Sequence, residues 1–231
     1  MALITDEVAF LQSLVALEGA HVAELGCGKA DFARQLIERA GVAHVDAFEV
    51  DRIQHAKNLD GAAHPKLSFR LGGAEDIGLA DASVDGVVMM KSLHHVPVDH
   101  LDRALVEIRR VLKPGGWLYV SEPVYAGEFN EIVKLFHDEG VVRAAAYAAL
   151  QRAGRAKVLQ PELEREFTAP LAFRDFDDFA EKLIRATHSE HVLTDALHDE
   201  VRRRFEAYMT PGGARFTRPM RVNLLRRVAT A

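Results

Sequence analysis

The chain has 231 residues, of which 48% are hydrophobic and 27% are charged, a balance typical of folded globular domains and not of disordered or fibrous chains. Its formal net charge of −5 argues against nucleic-acid binding through bulk positive charge, and its single cysteine, Cys27, excludes a disulfide or a cysteine-based zinc site within one chain. The first ten residues, MALITDEVAF, lack the features of a signal peptide, and no apolar run approaches the length of a membrane span, so we expect a cytoplasmic protein.

Strand and helix patterns alternate through the first half of the chain. A helix capped by Thr5 or Asp6 comes first, with its apolar residues at helical spacing. Short apolar strands are predicted at residues 21–25, 45–50, 67–71, 84–90 and 117–120, with helices ending near residue 40 and at 52–58 and 99–112. Gly41 closes the second helix. The alternation predicts right-handed βαβ crossovers and a parallel sheet.

After Pro123 the alternation stops. Residues 128–152 are predicted to form a long helix or a pair of helices, followed by a polar linker and by helices at 175–186 and 194–209, the last capped by Thr194. The tail from Ala214 to Val228 is predicted as an edge strand, where Pro219 is tolerated.

These elements predict an α/β fold with a doubly wound, mostly parallel sheet of seven strands, helices on both faces and a helical insertion after the fifth strand. The corresponding division is a cofactor-binding core at 1–123, an insertion that forms the lid and substrate region at 124–190, and a last helix and edge strand at 191–231.

The first of the five strands leads into the turn Gly26-Cys27-Gly28, which lets the backbone approach a ligand at the start of a helix. The dinucleotide fingerprint G-x-G-x-x-G needs a third glycine, but Asp31 stands at that position. A ligand with an amino-acid head fits better. Its carboxylate would take N–H groups of the turn, its ammonium the Glu24 carboxylate, and its ribose diol Glu49 at the end of the next strand. S-adenosylmethionine meets all three demands.

Four motifs in this order resemble those of class I S-adenosylmethionine-dependent methyltransferases. They are ELGCG at 24–28, Glu49, GGAEDIGLADASVDGVVMMKSLHHV at 72–96 and RRVLKPGGWLYVSEP at 109–123. The resemblance covers about residues 14–123, and its nearest branch is the broad small-molecule one that includes quinone-pathway C-methyltransferases. It implies a Rossmann-like fold and S-adenosylmethionine as the cofactor.

The resemblance also implies the residues that hold the cofactor. Glu24 and the two glycines would hold the methionine end and Glu49 the ribose, while Gly73 departs from the aspartate that relatives often place there to accept from the adenine amino group. Adenine recognition would then depend on backbone groups or on Glu75. The full predicted cofactor set is Glu24, Gly26, Cys27, Gly28, Glu49, Val50, Ala74, Glu75, Lys91 and Ser92.

A nucleophilic thiol and a metal site are two alternative interpretations of these loops. Cys27 lies at a helix N-terminus, where a thiol pKa is lowered, but a small filler beside the ligand carboxylate is favoured over a nucleophile. Adjacent His94 and His95, together with His188, His191 and His198, suggest a metal site. Adjacent side chains point apart and no acidic triad accompanies them, so we expect no metal. His95 is instead the candidate general base.

The sequence therefore predicts methyl transfer from S-adenosylmethionine to a small-molecule acceptor, by in-line SN2 displacement that releases S-adenosylhomocysteine. Candidate acceptor contacts are Glu122, Tyr125, Arg143 and Tyr147, and an arginine would suit an anionic acceptor. One alternative is an RNA or protein methyltransferase that docks through the Arg-rich second half, although the Asn/Asp-Pro-Pro-aromatic motif of many such enzymes is missing. Another is a non-catalytic cofactor-binding module. We expect neither membrane nor nucleic acid as a partner, and a monomer or a homodimer.

The cofactor also needs a cover that excludes water. We predict that the segment from about Glu128 to Arg165 forms this lid, with Phe129, Phe136 and Tyr147 as apolar walls and with Arg143 or Arg152 facing the acceptor. The alternative is a helix pair packed on the outside or used for dimerisation.

Overall fold

The computed structural model describes residues 1–185 and 193–228. The strands are β1 (Ala2–Leu3), β2 (His21–Leu25), β3 (His44–Glu49), β4 (Leu67–Leu71), β5 (Val84–Met90), β6 (Leu112–Pro123), β7 (Gln160–Phe173), β8 (Met209–Thr210) and β9 (Gly213–Arg226). The helices are α1 (Glu7–Gln12), α2 (Asp31–Ala40), α3 (Arg52–Asp60), α4 (Leu101–Val111), α5 (Glu128–Val133), α6 (Gly140–Arg155), α7 (Phe176–Leu183) and α8 (Asp195–Glu206). His188, His191 and the predicted boundary after residue 190 lie outside the described residues.

The strands form one sheet in the order β1-β7-β9-β6-β5-β2-β3-β4, and β8 pairs with β9. Neighbours from β6 to β4 are parallel, which confirms the predicted α/β class with a mostly parallel sheet. Seven strands have five or more residues, as predicted, and β1 and β8 add two residues each. The predicted edge position of the tail is wrong, because β9 lies between β7 and β6. Pro219 is tolerated inside the sheet since its carbonyl still accepts from the backbone N–H of Val124 at 2.9 Å.

The strand order reverses between β2 and β5. From β2 the chain proceeds outward to β3 and β4, and it then returns to the other side of β2 for β5 and β6. In open α/β sheets, ligands bind beyond the carboxyl ends of the strands at such a switch point. The loops after β2 and β5 therefore mark the expected site.

The chain divides into two compact units. The larger comprises Asp6–Glu122, Val142–Arg165 and Arg221–Ala231, and the smaller comprises Met1–Thr5, Pro123–Val141 and Glu166–Met220. The second segment of the smaller unit starts at Pro123, the last residue of the predicted core, but Met1–Thr5 of that core also belong to the smaller unit. The predicted insertion is shared between the units, because Val142–Arg165 belongs to the larger one.

The core of the larger unit lies between the sheet and helices α4 and α6. Leu105 and Ile108 of α4 are at most 1% exposed and lie in one cluster with Val87 of β5 and Val120 of β6. Helix α6 joins the same cluster through four small or branched residues, namely Ala146, Ala149, Leu150 and Ala153. Helix α6 is therefore a core helix of this unit.

The smaller unit has an aromatic core. Phe179 is fully buried and lies 5.4 Å from the Phe173 ring and 4.8 Å from the Phe205 ring, measured between centroids. Phe129 stacks on Phe173 at 5.8 Å, and Phe136 meets Phe179 edge-on at 6.2 Å. The two phenylalanines predicted as lid walls thus contribute to this core, and the lid itself stays a prediction.

Strand β7 was not predicted, and residues 160–165 are strand where the predicted helical segment would continue. Its sequence, QPELEREFTAPLAF, has apolar residues at alternate positions, namely Leu163, Phe167, Ala169, Leu171 and Phe173, a strand pattern that sequence reasoning missed. Phe167 and Phe173 are buried, and charged side chains make further cross-strand contacts. Glu162 pairs with Arg226, and Glu164 accepts from Asn223 Nδ2 at 2.8 Å. The strand depends on its partner β9, which local sequence cannot reveal.

The predicted helix caps are confirmed. Asp6 Oδ1 accepts from the N–H of Ala9 at 3.0 Å, and Thr194 Oγ1 accepts from the N–H of Leu197 at 3.3 Å. Gly41 ends α2 with a φ of 67°, in the left-handed region that favours glycine. Among the described residues, no helix combines the length and apolarity that crossing a bilayer requires.

Candidate active site

The glycine turn after β2 is held in a left-handed conformation. Gly26 has a φ of 74° and Gly28 a φ of 54°. A Cβ at position 26 would lie 2.6 Å from the Cβ of Ser92, whereas a Cβ at position 28 would meet nothing within 4 Å. Gly26 thus permits the close approach of the β5 loop, and Gly28 leaves an open space beside the turn.

The β2 and β5 loops are joined across the switch point. Ser92 is buried, and its Oγ donates to the carbonyl of Leu25 at 2.6 Å. Lys91 precedes it with a φ of 59°, which is unusual for a residue other than glycine, and its N–H donates to the carbonyl of Ser121 at 2.8 Å. The structure therefore brings both predicted β5-loop residues beside the glycine turn.

The N–H groups of the turn already have acceptors within the protein, which corrects the simple picture in which they await a ligand carboxylate. Those of Gly26 and Cys27 donate to the carbonyl of Phe48 at 3.0 and 2.8 Å. That of Gly28 donates to Glu49 Oε2 at 2.8 Å. The turn is shaped by β3 because the two strands are neighbours, and a ligand would have to compete for these donors.

Glu24 is a buried carboxyl group with one hydrogen bond among the described residues. It is 2% exposed, and its Oε2 accepts from the N–H of Ala33 at 3.0 Å. This bond replaces the missing side-chain cap of α2, since Ala30 stands at the N-cap. Burial, helped by the nearby carboxylates of Asp31 and Glu49, raises the pKa of Glu24 to about 8. A cationic ligand group would relieve this penalty by stabilising the ionised form.

Glu49 links the turn to its own loop. In addition to Gly28, its carboxylate accepts from the N–H groups of Val50 at 2.8 Å and Asp51 at 2.9 Å. Three of about four acceptor positions on the carboxylate are thus occupied. A ribose diol could bind Glu49 only by sharing or replacing one of these bonds, and the bond to Gly28 is the one that joins two separate loops.

The surroundings of Cys27 disfavour a reactive thiolate. Cys27 is 7% exposed, and burial raises the pKa of its thiol far above the usual range, with Glu24 and Glu49 adding to the effect. A second polar residue, which sequence reasoning missed, lies beside it. Asn58 of α3 is 6% exposed, and its Nδ2 donates to the carbonyl of Gly28 at 2.7 Å. No sequence pattern singled out Asn58, because its partner is thirty positions away.

At the edge predicted to bind adenine, the Glu75 side chain fills the space beside Gly73. A Cβ at Gly73 would lie 2.4 Å from Glu75 Oε2, so the Glu75 carboxylate occupies the space that a side chain at position 73 would need. Ala74 is 5% exposed, and Val50, the residue predicted to pack on the ring, is 64% exposed. A role of Glu75 toward the adenine amino group stays a prediction.

The general-base candidates differ in their surroundings. His95 is exposed, whereas His94 is 4% exposed and its Nδ1 contacts Glu122 Oε2. Glu122 is itself buried, and its Oε1 accepts from the N–H of Leu93 at 2.8 Å. The two rings lie 4.1 Å apart. Sequence reasoning chose His95 and treated Glu122 as an acceptor contact. The pairing of Glu122 with His94 joins a residue near the end of β6 to one that follows β5, and these strands are neighbours in the sheet.

Tyr125, Tyr147 and Arg152, which were predicted to meet the acceptor, have partners within their own units. Tyr125 is 39% exposed, and its hydroxyl donates to Asp138 Oδ1 at 2.8 Å within the smaller unit. In the larger unit, Tyr147 donates to Glu164 Oε1 at 2.9 Å and lies under the Arg221 guanidinium, 3.4 Å from the ring centroid. Arg143 is half-buried on α6. Arg152, the other predicted acceptor arginine, pairs with Asp102 at 2.9 Å. Their roles toward an acceptor stay predictions.

Comparison with known sequences identifies the part of the chain that carries the site. Residues 23–120 match the family described as Methyltransferase domain. The chain is 34% identical over 108 residues to O-methyltransferase resE of Aspergillus sclerotiorum, covering 45% of this chain and 40% of that protein. It is 33% identical over 122 residues to phthiotriol/phenolphthiotriol dimycocerosates methyltransferase 1 of Mycobacterium ulcerans, covering 51% and 42%. The chain thus spans less than half the length of these relatives.

Comparison with solved structures supports the fold over nearly the whole chain. A methyltransferase structure from Bacillus halodurans superposes with a TM-score of 0.65 at 17% identity, covering 96% of this chain and 99% of that one. The [4+2]-cyclase SpnF superposes with a TM-score of 0.61 at 20% identity, covering 97% and 80%. At such identities the likeness shows the fold alone. The fold and the family match over residues 23–120 thus agree with the resemblance to class I S-adenosylmethionine-dependent methyltransferases.

Proposed function

We propose that this chain transfers a methyl group from S-adenosylmethionine to a small-molecule acceptor and releases S-adenosylhomocysteine. The observation that carries the proposal is Glu24, a buried acid with one hydrogen bond at the switch point, beside a glycine turn and a second acid, Glu49. This acidic site suits a ligand that carries an ammonium and a sulfonium group. The names of the two relatives above, which are methyltransferases, support the same reaction.

Each part of the ligand has a candidate partner in the chain. Glu24 would bind the ammonium and Glu75 the adenine amino group. Glu49 would accept from the ribose hydroxyls, and the N–H of Gly28, which now donates to Glu49, would then be released toward the methionine carboxylate. The exchange would let Glu49 bind the ribose although its carboxylate is occupied, because Glu49 and the Gly28 N–H would each replace their mutual hydrogen bond by one to the ligand.

The chemistry demands little of the protein beyond alignment. When bound, S-adenosylmethionine supplies a methyl group on a sulfonium, which a nucleophilic acceptor atom takes by in-line displacement. The chain contributes proximity and the exclusion of water. If the acceptor must lose a proton, the His94–Glu122 pair is better placed than the exposed His95, because the carboxylate fixes the orientation and tautomer of the imidazole.

The size class of the acceptor is the finer part of the proposal. The relatives' names include an O-methyltransferase and an enzyme acting on phthiotriol-type molecules, which favours a small acceptor. Methylation of RNA or protein remains the principal alternative. Because the [4+2]-cyclase SpnF has the same fold, the fold by itself does not decide whether methyl transfer occurs.

Cofactor binding is tested first, by calorimetry with S-adenosylmethionine, S-adenosylhomocysteine and NADH. We expect the first two to bind and NADH not to bind. Glu49→Gln should weaken binding of the first two about tenfold, since it loses charge-assisted hydrogen bonds to the ribose, while exposed Glu38→Gln on α2 should have no effect. NADH binding as tight as that of S-adenosylmethionine would overturn the cofactor assignment.

Methyl transfer is tested with isotope-labelled S-adenosylmethionine and a cell extract separated into small-molecule, protein and RNA fractions. Labelled methyl groups should appear in the small-molecule fraction only, as detected by mass spectrometry. Label in protein or RNA would select the alternative. Cofactor binding without transfer to any fraction would indicate a non-catalytic module.

A further inference from the structure

A second polar cluster lies toward the amino-terminal ends of β2 and β3, at the opposite end of the strands from the glycine turn. His21 and His44 are the first residues of the two strands and are register partners. Asp46 follows His44 by two positions, so its side chain is on the same face of the sheet. The parallel register thus brings two imidazoles and one carboxylate together.

The contacts within the cluster are close. His21 Nε2 lies 2.7 Å from Asp46 Oδ2, and His44 Nε2 lies 3.9 Å from Asp46 Oδ1. The two imidazole rings meet edge-on with centroids 5.2 Å apart. The Asp46 side chain is 2% exposed, whereas those of the two histidines are 31% and 32% exposed. The carboxylate therefore forms the floor of the cluster, and the imidazoles form a rim that solvent reaches.

These donors have the chemistry and spacing of a transition-metal site. The potential ligand atoms of the three residues all lie within 4.8 Å of one another. Bonds of about 2.0–2.1 Å in a tetrahedral arrangement place ligand atoms about 3.4 Å apart. Rotation of the side chains that moves the ligand atoms by less than about 1.5 Å would bring the three donors to that spacing. The exposed rim leaves room for a water as the fourth ligand.

We propose that His21, His44 and Asp46 form a binding site for a divalent transition-metal ion, with Zn²⁺ as the probe that the ligand set favours. Two imidazole nitrogens and one carboxylate oxygen match the ligands that zinc takes in proteins, and they do not match the all-oxygen sets that magnesium prefers.

Arg70 is the competitor for the site. Its Nε donates to Asp46 Oδ1 at 2.5 Å, and its side chain is 43% exposed. His21 Nε2 also lies within hydrogen-bond distance of the Asp46 carboxylate. A metal ion would take over the role of these positive charges, and Arg70 can leave because one side of it faces solvent. Removing Arg70 should therefore strengthen metal binding, whereas a merely structural ion pair predicts no such gain.

The experiment is a calorimetric titration of the metal-free full chain with Zn²⁺ at neutral pH. We expect one site that is weakened at least tenfold in His44→Gln and in Asp46→Asn, and that is unchanged in His64→Gln, a histidine that lies outside the cluster. Arg70→Ala should bind Zn²⁺ several-fold more tightly. Mg²⁺ should give no binding at the same concentrations.

Thermal unfolding without metal shows whether each variant is folded, which matters most for Asp46→Asn because it alters a buried group. Zn²⁺ should raise the unfolding temperature of the wild-type chain and not that of His44→Gln, since a ligand of the folded state stabilises it. No zinc binding by the wild type, or equal binding by wild type and His44→Gln, would overturn the proposal. Because the cluster is remote from the glycine turn, these results are independent of methyl transfer.

Discussion

The buried carboxyl group of Glu24 makes ligand affinity depend on pH. Burial and neighbouring carboxylates raise its pKa from 4.5 to about 8, so the free protein holds Glu24 protonated at neutral pH. An ammonium ligand needs the ionised form. Binding must therefore release one proton, and the observed affinity should follow the ionised fraction of Glu24.

The size of the effect follows from the pKa. With a value near 8, the ionised fraction is about 1% at pH 6 and about 25% at pH 7.5, and one pKa unit corresponds to about a tenfold change. We expect the affinity for S-adenosylhomocysteine to rise about 20-fold over this range, which stays below the pH at which α-amino groups of the ligand lose their own proton. Calorimetry at pH 6, 6.5, 7 and 7.5 measures it.

The matched variant is Glu24→Gln, which keeps an oxygen acceptor for the N–H of Ala33 but cannot ionise. It should bind weakly and with no slope in this pH range. The free protein gives an independent check, because a carboxyl pKa that is higher in the folded state contributes stability below about pH 4.5 and loses it as the pH rises through about 8. Wild-type stability should fall over this window relative to that of Glu24→Gln. Equal pH slopes for ligand binding by wild type and variant would refute the role of Glu24.

Three further outcomes are expected. Gly26→Ala should destabilise the fold by about 2–4 kcal/mol, because it combines a left-handed φ with a Cβ 2.6 Å from that of Ser92. Gly28→Ala has the strain alone and should cost about 1 kcal/mol. Similar thermal unfolding of the two variants would contradict this difference. Glu75→Ala should weaken S-adenosylmethionine binding about tenfold with the fold intact, because a hydrogen bond to a charged group contributes ~1.5–3 kcal/mol. The control variant Asp76→Ala should bind S-adenosylmethionine as the wild type does. Equal affinities of the two variants in calorimetry would disprove the adenine role of Glu75. Methyl transfer should be unaffected by EDTA, because the cofactor residues form no metal-ligand set, and loss of activity that a divalent metal restores would show otherwise.

The sequence by itself determined the first half of the fold and the location of the site. Apolar strands at regular intervals, a glycine turn and acids at strand ends are local patterns, and parallel strands bring their carboxyl ends to one edge whatever the details of packing. Glu24, Gly26, Glu49 and Ser92 could therefore be chosen without coordinates. The caps at Asp6 and Thr194 were equally predictable, because a cap depends on residues only a few positions apart.

The tertiary structure decided what depends on partners distant in sequence. Strand β9 became an inner strand because β7 pairs with its outer edge, and no local pattern in either strand specifies that pairing. The pairing of His94 with Glu122 and of Asn58 with Gly28 joins residues about thirty positions apart, so no local spacing announces either. Likewise, His21, His44 and Asp46 are unremarkable in sequence, and only the parallel register of β2 and β3 makes them neighbours. Local preference forms an element, but the free energy that selects its partners comes from contacts made when the chain is folded.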